Sequence, residues 1–445
     1  MNPLPRPTAL STLAALALTS CACTSHPTPT KAAPAAPVVS ASAPPPVASA
    51  PVVTADAAPE AGPPKPPLLG EDFIDQTRLL FRLAACGGDA PIPERFDPKL
   101  VETHCKELTA KYAEYKRQWV DVAMPYIAKL EPAGLPHEVV YPFGGGDLMS
   151  ALATFPDGTT YTTISLETAG DIRRVDTITQ KKLDAELALN RSHLAKLFEK
   201  IHSRTINLDI ESRSDLPGEI VFSLVGLAIY GYEPVSLRYF RFNADGTLHY
   251  LTASDIETME KADLAKKKSP AETQADIFGD VELQFRTAGD PNAPIKTLRH
   301  VAYNLDDKHL RADPSLLHHL ESLGKVSAMT KAASHCLWSD DFSTIRQYLL
   351  DHMVWMISDS TGIPPRIATK AGWVEDTYGV FDWPAAFFVD NTAVESNNRN
   401  AEDMRKLFKT NPQHDLPFRY GYPDRDHHGH MIVTRPASSA PAASP

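Results

Sequence analysis

His137-Glu138-Val139-Val140-Tyr141-Pro142-Phe143-Gly144-Gly145-Gly146-Asp147 is the stretch whose reading decides the fold. An apolar run from His137 to Phe143 stops at three glycines and an aspartate, a short helical pattern follows to Phe155, and a second apolar run covers Thr159 to Glu167. Short apolar runs bounded by glycine read as strands, and the intervening pattern is long enough for one short helix. The stretch is therefore a strand-turn-helix-strand unit, the building block of an α/β protein.

The glycines sit at the first turn, and an acid, Glu167, ends the second strand 20 residues beyond Asp147, so the unit is Rossmann-like. In such units glycines let a ligand approach the backbone, a helix N-terminus favours an anion, and the acid grips a ribose hydroxyl. Gly144 and Gly146 match the first two places of G-x-G-x-x-G, but the third is Met149, and Asp147 puts negative charge where a pyrophosphate would sit. Nucleotide binding is therefore disfavoured and no cofactor is expected. Tight packing of the glycines, with Asp147 as N-cap of the helix, is the preferred reading. A different small ligand at the turn stays open.

Working outward, Leu100, His104, Leu108, Tyr112, Tyr115, Trp119, Val122 and Tyr126 recur at three-to-four spacing, a long amphipathic helix with a kink expected at Pro125. Leu183, Leu187, Leu194, Leu197, Phe198 and Ile201 mark another over Thr179 to Arg204, and 218 to 230 reads as a buried apolar helix. Val235 to Asn243 and Thr247 to Ala253 flank Asn243-Ala244-Asp245-Gly246 as an antiparallel hairpin, and Ser254 with Glu257 is a capping box for the next helix. Val281 to Thr287 and Lys296 to Asn304 form a second hairpin. Helices are then expected from Asp313-Pro314 to Gly324, over 326 to 338 and over about 340 to 357. The whole reads as an α/β fold with a mixed sheet, the Rossmann-like unit, antiparallel hairpins and a helical C-terminal third.

The N-terminus carries the address. Ala9 to Thr19 is an apolar core of signal-peptide length after the single charge of Arg6, and it ends in Leu18-Thr19-Ser20-Cys21. This ending resembles a bacterial lipobox, which implies that Cys21 becomes the first mature residue, takes acyl chains such as palmitate, and holds the protein to a membrane. The alternative is a plain cleaved signal with a chance cysteine. His26 to Pro67 is almost wholly Pro, Ala, Val, Ser and Thr, a composition expected to be disordered and polyproline-like, so 21 to 67 reads as a tether. Residues 1 to 20 read as signal peptide, 68 to 435 as the globular part, and 436 to 445 as a second disordered tail. The localisation expected is the cell envelope, facing the periplasm or exterior, out of reach of ATP and NAD. The formal net charge of -11 and the lack of like-charge blocks argue against nucleic acid as a partner. No later apolar run is long enough to span a bilayer, so the membrane is expected as partner through the lipid alone.

Of five cysteines, Cys21 and Cys23 lie in the signal and tether region. Cys86 and Cys105 flank a Gly-Gly-Asp and Pro-rich turn between two helical patterns, where an oxidising compartment favours a disulfide over two reduced thiols. Cys336 falls in a helical pattern and reads as a small buried hydrophobe. Asp359-Ser360-Thr361-Gly362 resembles the Asp-Thr-Gly loop of aspartic proteases but has an extra residue, occurs once and is read as following a helix. The segment Asp424-Arg425-Asp426-His427-His428-Gly429-His430 could place His428 and His430 on one side of an extended chain, to bind one ion with Asp424 or Asp426. A solvated polar turn without metal is preferred, because Arg425 opposes a cation.

Taken together, the segments 140–147, 163–167, Met329 to Ser334, Asp341 to Arg346, Ser358 to Pro364 and Leu416 to Tyr422 resemble a group of uncharacterised bacterial exported proteins with a Tyr-Pro-Phe-Gly-Gly-Gly-Asp segment. The resemblance implies one contiguous domain in the envelope and brings no activity with it. Tyr141, Gly144, Gly145, Asp147, Glu167, Asp359 and Tyr422 fall in or beside these segments and are the candidates for a ligand pocket. The leading expectation is an envelope lipoprotein that binds an unknown ligand or envelope protein. The alternatives are an exported hydrolase using carboxylates near Asp147, Glu167 and Asp359, or a metal-dependent enzyme at Asp424 to His430. Whether the chain is an enzyme is not decided by its residues.

Overall fold

A computed structural model of the chain describes residues 70–200, 215–381, 394–412, 414–421 and 429–439. The stretches expected as signal peptide and tether, and Tyr422 to His428, lie outside the described residues. Ten strands form one mixed sheet: β1 (Glu138–Pro142), β2 (Thr160–Ser165), β3 (Tyr232–Phe242), β4 (Leu248–Tyr250), β5 (Val281–Thr287), β6 (Lys296–Ala302), β7 (Val326–Thr330), β8 (Met353–Ser358), β9 (Trp373–Gly379) and β10 (His430–Pro436). Their order is β4-β3-β5-β6-β2-β1-β7-β8-β10-β9. The five central strands, β6 to β8, are parallel, and antiparallel pairs flank them on both sides.

Side chains alternate between two cores, as the period of a strand requires. Val139 and Tyr141 of β1 pack with the helices Ile74–Ala84, Pro98–Tyr115, Leu148–Thr154 and Gly218–Tyr230. Val140 faces the other way, toward the helices Asp307–Ala312, Ser315–Ser322 and Ser343–His352. Helices on both faces explain why the central strands lack an apolar-polar alternation.

That same property hid two of them. The C-terminal third is not helical throughout, because Val326–Thr330 and Met353–Ser358 are the parallel strands β7 and β8, and β9 and β10 follow. The expected helix over 326–338 is a strand followed by the 3-10 turn Ala332–Trp338, and the one over 340–357 is the helix Ser343–His352 running into β8. A short apolar run buried on both faces has no period to tell strand from helix.

Smaller corrections follow the same lines. The capping box of the helix Ala253–Ala265 is Thr252 with Asp255, each side chain bonded to the other's backbone N–H, rather than Ser254 with Glu257. The long N-terminal helix is interrupted by the π turn Lys116–Val120, and Pro125 lies inside the helix Asp121–Ile127 that follows. Folded structure also passes Arg435: β10 includes Pro436, and the Ala437 N–H donates to the Gly372 carbonyl, so the expected boundary at 436 lies within ordered chain. Cys86 and Cys105 form a disulfide with their Cα atoms 5.2 Å apart, fastening the turn after Ile74–Ala84 to Pro98–Tyr115.

Candidate functional site

From β1 the chain crosses through Leu148–Thr154 to β2 on one side, whereas β7 lies on the other side of β1 and leads on to β8. The winding therefore reverses between β1 and β7. In open α/β sheets the carboxyl ends of the strands at such a point diverge and leave a crevice. Here those ends are Phe143 to Asp147 and Thr330-Lys331.

Asp147 is the hub of what meets there. It is the N-cap of Leu148–Thr154, its Oδ1 accepting the Ser150 N–H at 3.2 Å. Its Oδ2 accepts the Tyr141 hydroxyl at 3.1 Å and the Lys331 ammonium at 2.6 Å, and Lys331 Nζ is also 2.8 Å from Ser150 Oγ. Lys331 thus reaches from the end of β7 across to the turn after β1. Its side chain is only 5% exposed, against 22% for Asp147, so the carboxylate forms the solvent side of the pair.

The glycines fit the packing reading. A Cβ on Gly144 would stand 2.6 Å from the Tyr141 ring, and one on Gly146 would stand 2.4 Å from Glu219 Oε2. Phe143, just before them, holds a φ of 62°, a left-handed conformation that a bulky side chain adopts only under constraint.

Asp359 joins this group from the end of β8. The Asp359–Gly362 turn follows a strand, not a helix, and is fully buried. Asp359 Oδ1 accepts the Thr361 N–H at 2.8 Å and the Thr361 hydroxyl. A Cβ on Gly421 would come within 2.5 Å of Asp359 Cβ, so glycine lets Tyr420-Gly421 lie directly on this turn. The segment is held from behind by the π turn, where the Trp119 indole N–H donates to the Arg419 carbonyl at 2.7 Å. Burial pushes the hydroxyls of Tyr141 and Tyr420 well above the usual phenol range. Asp147 and Asp359 both push them further, so the two tyrosines lie in the field of both carboxylates.

Tyr141, Gly144, Gly145, Asp147 and Asp359 are thus brought together. Glu167 reaches the glycine turn only through His300, which also bonds to the Gly145 backbone. Its carbonyl accepts from His300 Nε2 at 2.9 Å, and its carboxylate acts on that ring, whose pKa is lowered by burial. Tyr422, Asp424 and His428 lie outside the described residues. His430 is buried on β10, and its Nε2 accepts the Ser360 N–H at 3.0 Å, which occupies the lone pair a metal would use. Among the described residues no three His, Cys, Asp or Glu side chains are placed to hold a metal ion, and no helix is long and apolar enough to cross a membrane.

The chain matches no protein-family model, no curated protein and no solved structure.

Lys331, Ser150 and Tyr420 are the members that residue patterns did not single out. Lys331 had a signal: a lone lysine closing the apolar run Val326 to Thr330 marks a strand end once that run is read as β7. Ser150 and Tyr420 had none, since a serine in a first helical turn and an aromatic in a loop are commonplace.

Proposed function

We propose that this protein is an exported binding protein, tethered to a membrane through lipid on Cys21, that takes a small polar ligand at the crevice between the carboxyl ends of β1 and β7. One observation carries the binding reading: Asp147, Lys331, Tyr141 and Asp359, from the ends of three separate strands, converge where the winding of the sheet reverses. Such points are where polar groups can surround a ligand without burying unpaired backbone. The strained Phe143 backbone at the same turn supports it.

Binding is preferred to hydrolysis for a geometric reason. The two oxygens of Asp147 already accept from Tyr141, Ser150 and Lys331, which suits a fixed wall of hydrogen-bonding groups better than a group that must exchange protons. The exported hydrolase remains the second reading because Asp147 and Asp359 both act on Tyr141 and Tyr420. Two carboxylates sharing one site are what glycosidic chemistry uses.

The lipobox-like Leu18-Thr19-Ser20-Cys21 and the Pro/Ala-rich stretch after it support the tether, and the Cys86–Cys105 disulfide is at home in an oxidising compartment. A thermal-shift screen of sugars, peptides and organic acids against the full chain tests the binding reading. A ligand should stabilise the native protein and not Asp359→Asn; shifts that are equal in both would place the site elsewhere. Palmitate labelling of the wild type but not of Cys21→Ala tests the anchor, and an unlabelled wild type would remove it.

A further inference from the structure

On the other side of the sheet, the β9–β10 ribbon presents polar groups to the interior. Glu375 and Thr434 are direct cross-strand partners, and Thr377 lies two residues along on the same face as Glu375. Glu375 is 7% exposed, Thr377 1% and Thr434 none. The surroundings are apolar: Trp373 lies two residues before Glu375, and Ile432, opposite Thr377, packs with Met404 and Phe408 of the helix Val394–Thr410. The Thr377 and Thr434 hydroxyls find no hydrogen-bond partner among the described residues. Among the described residues no cation pairs with the carboxyl of Glu375, and burial pushes it up, to about 8. The nearby Arg366 is taken up by Asp403 at 2.9 Å and by Asn400.

Buried hydroxyl oxygens without partners are costly, and two of them at positions neighbouring a buried carboxyl call for one common partner. All three offer oxygen, which selects a hard cation over a soft one. Glu375 supplies one carboxylate when ionised, so a single positive charge in place of its proton restores neutrality, while a divalent ion would leave an uncompensated charge in an apolar layer. We propose that Glu375, Thr377 and Thr434 form a binding site for a single monovalent cation, sodium or potassium, beneath the helix Val394–Thr410. This site is separate from the β1–β7 crevice and does not depend on the reading of it.

The test is the melting temperature of the full chain titrated with sodium chloride, potassium chloride or choline chloride at equal ionic strength. Sodium or potassium should raise it saturably where choline does not. Glu375→Gln should abolish the difference and Thr434→Val should weaken it, since valine fills the threonine's volume without its oxygen. Equal curves for all three salts would overturn the proposal and leave water as the occupant. A difference that persists undiminished in Glu375→Gln, or a response to calcium alone, would overturn it as well.

Discussion

Lys331 Nζ lies 2.6 Å from Asp147 Oδ2 and so bridges the ends of β1 and β7 where the sheet reverses its winding. The pair is largely removed from water, and removal of the lysine takes away the cation that faces the Asp147 carboxylate. Lys331→Met should therefore destabilise by about 3 kcal/mol, and Asp147→Asn by less because asparagine can still cap the helix. The double variant should cost less than the two single costs together, by about 1 kcal/mol or more. Urea denaturation of the four proteins gives the coupling, and strict additivity would show that the pair contributes nothing of its own.

The disulfide permits a prediction that is independent of any site. It closes a loop between residues 19 apart, for which chain entropy gives about 3 kcal/mol. Cys86→Ser with Cys105→Ser should lower the urea midpoint by the corresponding amount, and reductant should do the same to the wild type and nothing further to the variant. Equal midpoints with and without reductant would mean that the bond forms in neither preparation.

The glycine turn separates packing from ligand approach. Gly144→Ala brings a Cβ to 2.6 Å from the Tyr141 ring and 2.8 Å from its carbonyl oxygen, and the carbonyl cannot move without shifting β1. The cost expected is about 2 kcal/mol, within the range for overpacking. Gly134→Ala, with φ of 77° but open space around it, is the control and should cost about 1 kcal/mol. If the glycines served ligand approach, Gly144→Ala would leave the denaturation midpoint where it was.

How far residues alone disclosed this protein depended on where each run is buried. The hairpins of β3 with β4 and β5 with β6 could be read from their turns, and the β1–β2 unit from its glycines. Val326–Thr330 and Met353–Ser358 could not, because helices cover both of their faces and leave only uniform apolarity. The site shared that fate. Tyr141 and Asp147 were visible because they flank the glycines, but Lys331 gains meaning only once β7 is placed beside β1, a neighbour 184 residues away in the chain. Glu167 shows the converse, since an acid at a strand end reads the same whether it faces the glycine turn directly or, as here, meets it through a buried histidine.

Glu131 supplies the pH dependence. Burial first, and then Asp157, raises its carboxyl to about 7, and its Oε1 finds no hydrogen-bond partner among the described residues. The folded pKa lies above the unfolded value of 4.5, so the folded state holds this proton more tightly than the unfolded chain does. The stability it contributes is complete in acid below about 4.5 and is lost as the pH climbs through about 7, at no more than about 1.4 kcal/mol per unit. Glu131→Gln, which carries no ionisable group, should match the wild type near pH 4.5 and become progressively more stable than it up to pH 8. Denaturation midpoints of both proteins across that interval decide the matter, and curves that run parallel throughout would show that Glu131 titrates alike in the folded and unfolded chain.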